Sequence, residues 1–151
     1  MCGIAGWIGP KNPEALSRMR TALAHRGPDD AGEHVEDRLT LLHQRISIID
    51  VAGGHQPMST PDGRFTIVYN GEIYNYLRLR DDLESRGVAF RTRSDTEVVL
   101  HLYARMGAEC VSQLQGMFAF AVWDRDERRL FLARDRIGIK PLFYAQAGDQ
   151  L

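Results

Sequence analysis

Strand-forming runs crowd both ends of this 151-residue chain, and two long helices lie between them. That order predicts an α+β sandwich with helices packed on sheet faces. Residues 3–8 read as a short buried strand. Asn12-Pro13-Glu14 then supplies an N-cap, a proline at the first helical position and an early acid. Leu16, Met19 and Leu23, with Ala15 and Ala22, form a helical apolar stripe up to about His25. A polar loop over residues 26–32 leads to strands near 32–35 and 39–45. Residues 51–63, rich in Gly and Pro, read as loop.

The middle and the end continue the pattern. Residues 65–69 predict a strand ending at Asn70-Gly71, the strongest two-residue turn signal in the chain. A helix over 74–86 closes at Gly87. Ser94-Asp95-Thr96-Glu97 reads as a capping box, with Val98, Val99, Leu102 and Met106 as the buried face of a helix that Gly107 ends. Residues 117–123 and 130–133 predict strands joined by the charged turn 124–128, and 142–144 predict another. Cys110, on a short helix before Leu114, reads as a core residue. After the turn signal Ala147-Gly148-Asp149 a hairpin would return, so the sequence reads as a domain excised from a longer chain.

Composition narrows the function classes. Net charge is −1, so no electrostatic argument favours nucleic acid or an anionic membrane. No apolar run has the length of a membrane span. The start is not a signal peptide, because Pro10, Lys11 and Asn12 interrupt it early. Two cysteines, Cys2 and Cys110, and no zinc-ligand spacing fit a cytosolic protein with reduced thiols. His25, His34, His43, His55 and His101 show no metal-ligand spacing either. A papain-like Cys–His pair stays open, but nothing singles out one histidine.

Cys2 is the first candidate for chemistry. Methionine aminopeptidases act before small residues, so loss of Met1 would leave a thiol and a free α-amine on one residue. Thiols titrate near ~8.5 and α-amines near ~7.7–8.0. The amine can therefore accept the thiol proton, directly or through one water, and later give a proton to a leaving amine. Asn70-Gly71-Glu72 admits two readings, a hairpin turn or an oxyanion site built from the Asn amide and the next backbone N–H. Arg45 and Asp95 are a cation and an anion suited to the carboxylate and ammonium of a free amino acid. Each also has an ordinary reading, as a strand-end charge and a first-turn acid.

These residues sit in longer stretches that speak together. The segments are Met1-Cys2-Gly3-Ile4, His25-Arg26-Gly27-Pro28-Asp29, His43-Gln44-Arg45-Ile46-Ser47-Ile48-Ile49-Asp50, Gly54-His55-Gln56-Pro57 and Asn70-Gly71-Glu72-Ile73-Tyr74-Asn75. They continue with Ser94-Asp95-Thr96-Glu97, Leu114-Gln115-Gly116-Met117-Phe118-Ala119-Phe120-Ala121, Ala133-Arg134-Asp135-Arg136 and Gly138-Ile139-Lys140-Pro141-Leu142. In this order they resemble the class II glutamine amidotransferase domain, most closely the one at the N-terminus of asparagine synthetases. Glucosamine-phosphate synthases and phosphoribosyl-pyrophosphate amidotransferases share the Cys-Gly-Ile start but differ after Arg-Gly and within the Asn-Gly segment.

The resemblance implies a four-layer αββα sandwich of the N-terminal nucleophile hydrolase type over residues 1–151. It implies hydrolysis of L-glutamine to glutamate and ammonia in the cytoplasm. By similarity, Cys2 is the nucleophile and its α-amine the base; Asn70 and the Gly71 N–H form the oxyanion hole. Arg45 takes the substrate carboxylate and Asp95 its ammonium, while Ile48, Ile49 and Glu72 line the glutamine pocket. No metal site and no cofactor are implied in this chain. ATP and Mg are expected only in a C-terminal synthetase domain or subunit that receives the ammonia, and a homo-oligomer of the full-length protein is left open. Residues 51–63 are the candidate for a loop that such a partner orders. Two other classes stay in play, an N-terminal-cysteine hydrolase of another amide and a non-catalytic partner domain. The Arg45/Asp95 pair argues against the other-amide hydrolase, since a zwitterion-binding pair has no use on an acyl chain; intact Cys2, Arg45, Asn70, Gly71 and Asp95 argue against the non-catalytic domain.

Overall fold

A computed structural model describes residues 2–148 and 150–151. Met1 and Asp149 lie outside the described residues, and with them the proposed loss of Met1 and the centre of the expected terminal turn. Among the described residues, seven strands form two antiparallel sheets. The first holds β1 (Gly3–Ile8), β3 (Leu39–Arg45) and β2 (Asp30–Glu36), with β3 central. The second holds, in order, β4 (Met58–Ser59), β5 (Phe65–Ile73), β6 (Gly116–Asp124) and β7 (Arg129–Arg134).

Strand periodicity of two sorts the apolar residues into layers. Leu39 and Leu41 of β3 and Ile4 and Ile8 of β1 meet Val68, Ala121, Trp123, Leu130 and Leu132 of the second sheet. The residues between them on β5 to β7, among them Ile67, Tyr69, Phe118, Phe120, Val122 and Phe131, face the other way, against α2 (Tyr76–Ser85) and α3 (Asp95–Met106). Helix α1 (Pro13–Leu23) covers the outer face of the first sheet. The result is the four-layer αββα sandwich.

Several local expectations are met in detail. Asn12 caps α1, its Oδ1 accepting the Ala15 N–H at 2.9 Å. Gly87 and Gly107 follow α2 and α3 at φ +84° and +58°, a region where a side chain is costly. Cys110 is fully buried in the short 3₁₀ segment Gly107–Gln113.

Other expectations give way to tertiary contacts. The stripe of α1 is only half-buried, Ala22 is exposed, and the last turn is a separate 3₁₀ helix, Ala24–Arg26. β2 begins at Asp30 because its backbone pairs with Arg45. The loop at 51–63 contains the two-residue strand β4, paired to Thr66 and Ile67. Met106 is exposed, whereas the first two turns of α3 are buried nearly all round. Residues 142–144 form no strand, and Phe143 and Tyr144 are exposed.

The largest departure is at Asn70-Gly71. No turn forms there. β5 runs on to Ile73, with Asn70 opposite Ala119 and Gly71 opposite Phe118. Nine consecutive pairings with β6 outweigh the local turn preference. Gly71 is needed here for close approach, since a Cβ would run into the Met117 carbonyl and Phe118.

Candidate active site

The site forms where the inter-sheet layer opens. Cys2, in phase with Ile4 and Ile8, precedes β1; Arg45, in phase with Leu39 and Leu41, ends β3; Asn70, in phase with Val68, lies on β5. Alternation along three strands thus brings a thiol, a guanidinium and a carboxamide to one end of the sandwich. They line a cavity of about 130 Å³ together with Ile48, Ile49, Gly71, Glu72 and Asp95. All eight residues singled out by the resemblance border this one cavity.

The nucleophile candidate is held from two sides. The Ile46 N–H points at Cys2 Sγ at 3.4 Å, and the thiol lies 3.7 Å from the Ile46 carbonyl. Arg26 donates to the Cys2 carbonyl at 3.3 Å. The motif around Arg26 supports the same corner. Gly27 lies on the Arg45 backbone where a Cβ would not fit, and Asp29 accepts the Ser47 N–H at 2.9 Å.

The edge of β5 explains the Asn-Gly segment. Phe118 exchanges hydrogen bonds with Asp135 through its N–H (3.2 Å) and carbonyl (2.8 Å), so its backbone faces away from β5. Gly71, its partner across the ladder, therefore faces away from β6 as well. Tyr69 and Ile73 share that edge, two residues to either side. Gln56 Oε1 takes the Tyr69 N–H at 2.7 Å, and Asp95 Oδ2 takes the Ile73 N–H at 3.1 Å. Between these two side-chain caps the Gly71 N–H opens on the cavity, next to the buried Asn70 amide.

Arg45 and Asp95 differ in how they are held. The guanidinium donates to the carbonyls of Ile49 (2.9 Å), Asp50 (2.7 Å) and Val51 (3.0 Å). Three of its five N–H donors thus hold the loop, and at most two remain for a carboxylate. Gly54 is required where the guanidinium passes beneath it. Asp50, at φ +47°, fixes the same loop by accepting from Gly53 N–H at 3.0 Å and Arg93 N–H at 2.7 Å. Asp95 is buried and accepts the Tyr69 hydroxyl at 2.7 Å. Burial pushes its carboxyl up from the ordinary range, although the Tyr69 and Ile73 bonds pull it down. Ile48 is 77% exposed and so hangs at the rim, where Glu72 is exposed too.

The glutamine amidotransferase domain family matches residues 1–151. The chain belongs to this family. Asparagine synthetase [glutamine-hydrolyzing] 3 of Bacillus subtilis is 46% identical over 99% of the chain and 25% of its own length. A putative asparagine synthetase [glutamine-hydrolyzing] of Mycobacterium tuberculosis is 45% identical over 96% of the chain. Among solved structures, glutamine phosphoribosylpyrophosphate amidotransferase from B. subtilis superposes with a TM-score of 0.77 at 25% identity. That match covers 99% of the chain and 40% of the solved one. This amidotransferase domain therefore spans about a quarter of the length of the curated relatives it matches.

The amidotransferase cavity also has walls to which the sequence assigns no part in the site, including Gln56, Tyr69, Ser94, Thr96, Met117 and Lys140. All but Tyr69 lie in recognised segments, so position was the available signal; their orientation comes from tertiary structure. Asp135 shapes the approach to Lys140, accepting the N–H groups of Ile139 (2.8 Å) and Lys140 (2.9 Å). Four of the five histidines are engaged away from Cys2: His34 with Glu36, His43 with the Tyr69 carbonyl, His55 with Asp30 and His101 beside Glu97.

The expected capping box takes another form. Ser94 Oγ accepts the Thr96 N–H at 3.2 Å, but Glu97 does not return to Ser94. It accepts from the Arg91 and Thr92 N–H groups and the Thr92 hydroxyl, fixing the turn ahead of α3. Desolvation opposes its charge, yet His101 and these donors hold its carboxyl down to about 2. A pKa below the unfolded value near 4.5 means stability is present above pH 4.5 and lost as pH falls through about 2. Glu97→Gln should lose roughly 2–3 kcal/mol at neutral pH and show a flatter acid limb between those values. Urea titrations at pH 7, 4 and 2.5 measure this; parallel acid limbs for wild type and variant would contradict it.

Proposed function

We propose that this chain hydrolyses L-glutamine to glutamate and ammonia through a γ-glutamyl thioester on Cys2. The observation that carries the reading is the convergence of Cys2, Arg45, Asn70, Gly71 and Asp95 on one cavity. After loss of Met1, the α-amine of Cys2 takes the thiol proton. The sulfur attacks the side-chain amide carbon, and the new oxyanion meets the Asn70 amide and the Gly71 N–H. Collapse breaks the C–N bond as the protonated amine gives its proton to the departing ammonia. The amine then takes a proton from water, whose oxygen attacks the thioester; glutamate leaves and the sulfur regains a proton. Arg45 and Asp95 hold the carboxylate and ammonium of the substrate, which favours glutamine over an acyl amide.

Its relatives, named as glutamine-hydrolysing asparagine synthetases, support a place for this domain in a longer enzyme. In that reading the ammonia passes to a synthetase domain or subunit, which alone needs ATP and Mg. The glutaminase half uses no cofactor, and the enzyme works in the cytoplasm.

Intact mass before and after treatment with 6-diazo-5-oxo-norleucine, an electrophilic glutamine analogue, tests the chemistry. The expected result is loss of Met1 and one adduct, absent in Cys2→Ala and blocked by glutamine. Retained Met1, or an adduct that glutamine does not block, would overturn the proposal.

A further inference from the structure

His43 is fully buried on the inter-sheet face of β3, in phase with Leu39, Leu41 and Arg45. Its Nε2 lies 3.1 Å from the Tyr69 carbonyl oxygen. A carbonyl can only accept, so Nε2 carries the proton and Nδ1 is left as an acceptor. Among the described residues that buried Nδ1 has no partner. Burial, with a smaller contribution from the Arg45 charge, lowers the imidazole pKa to about 4 and keeps the ring neutral. An unpaired buried acceptor costs about 1–3 kcal/mol, which a leucine in this layer would avoid. Packing alone therefore does not account for an imidazole here, and the bond made by Nε2 does.

That bond crosses from one sheet to the other. β3 carries Arg45 and pairs with β1, at whose start Cys2 lies; β5 carries Asn70 and Gly71. The Tyr69 carbonyl and the Asn70 N–H belong to one planar peptide, so holding the oxygen fixes the plane that carries the Asn70 Cα, one peptide before the Gly71 N–H. Gln56 holds the Tyr69 N–H at 2.7 Å, and Asp95 holds the Tyr69 hydroxyl at 2.7 Å. Of the three ties on Tyr69, only His43 reaches it from the sheet that places the nucleophile.

We propose that His43 is a positioning residue for the reaction: its Nε2–H ties the Tyr69–Asn70 peptide to the Cys2-bearing sheet and sets the spacing between sulfur and oxyanion donors. This rests on the glutamine-hydrolysing reading of the site. The tie governs alignment in the transition state, not the Arg45 and Asp95 contacts that bind glutamine. Misplacement of a reacting group by about 1 Å can cost ~10² in rate.

Steady-state glutamine hydrolysis by wild type, His43→Leu, His43→Gln and His43→Asn tests it. His43→Leu should lower kcat by about 10–100-fold and leave KM within about 3-fold. His43→Gln, whose amide N–H reaches the Nε2 position, should recover most of kcat; His43→Asn, one carbon shorter, should not. If His43→Leu fails to fold, the Gln and Asn variants carry the comparison. ¹⁵N NMR of the wild type should find the neutral Nε2–H tautomer at pH 7. Equal kcat in folded His43→Leu and wild type, no difference between Gln and Asn, or an Nδ1–H tautomer would overturn the assignment. A wild type that turns over no glutamine would sink the proposed function itself, whereas turnover indifferent to His43 sinks only the positioning role.

Discussion

Glutamine hydrolysis should fall by at least ~10⁴-fold when Cys2 becomes alanine, with stability changed by less than about 1 kcal/mol. The two halves of that expectation have separate causes. Cys2 is half-buried, and its side-chain hydrogen bonds are the two long ones to the N–H and carbonyl of Ile46, so little packing is lost with the sulfur. Nothing else near the cavity can replace it as a thiolate. Cys110 sits in the layer between the second sheet and the helices, and burial pushes its thiol up to about 12. Ser94 and Thr96 line the cavity, but Ser94 Oγ is engaged as the cap of α3 and Thr96 Oγ1 accepts from Gln56 at 3.2 Å. Cys2→Ser keeps the geometry with a far weaker nucleophile and should retain only a small residue of the rate. Coupled assay of released glutamate, with urea midpoints as the stability control, measures both. More than a few per cent of wild-type turnover in Cys2→Ala would remove Cys2 from the centre of the mechanism.

Much of this was legible in the chain itself. Alternation placed most of the strands, the Asn12 cap and the glycines after α2 and α3 placed helix ends, and the ordered segments picked out residues that border one cavity. What stayed hidden shares one physical cause: contacts between residues far apart in sequence. Asn70-Gly71 prefers a turn locally, and only pairing with β6 keeps it extended and turns the Gly71 N–H to the cavity. Residues 142–144 have strand composition but lie outside both sheets, with Phe143 and Tyr144 exposed, so propensity alone leaves them irregular. Glu97 looked like half of a capping box, yet the Arg91–Thr92 turn offers it more donors than Ser94 does. Arg45 looked like a strand-end charge waiting for a carboxylate. Its work in holding the loop at Ile49–Val51 depends on that loop folding back over β3, which no spacing reveals. His43 and Gln56 lay within recognised segments without any role, because each acts through the Tyr69 peptide and not through a ligand.

Asp95→Asn should raise KM for glutamine by about 10²-fold or more while leaving the protein as stable as wild type or more so. The Asp95 carboxylate is 3% exposed and accepts hydrogen bonds from the Tyr69 hydroxyl and the Ile73 N–H. Burial raises its pKa, so the folded protein holds the proton more tightly than the unfolded chain does. That contribution to stability is fully present below the unfolded value of 3.8 and is lost as pH rises through the raised folded value. At neutral pH the ionised group is therefore a net cost to folding, which asparagine removes while its oxygen can still accept from Tyr69. Binding has the opposite sign. A substrate ammonium beside the carboxylate recovers the cost of burial, and its loss at a buried site is worth about 2–5 kcal/mol. In the wild type KM should rise as pH falls through the raised pKa, because the protonated acid no longer attracts the ammonium; in Asp95→Asn that acid limb should vanish. Parallel measurement of KM from pH 4 to 8 and of urea midpoints at pH 7 decides it. An unchanged KM with lowered stability would make Asp95 a structural cap of the β5 edge and leave the ammonium to another group.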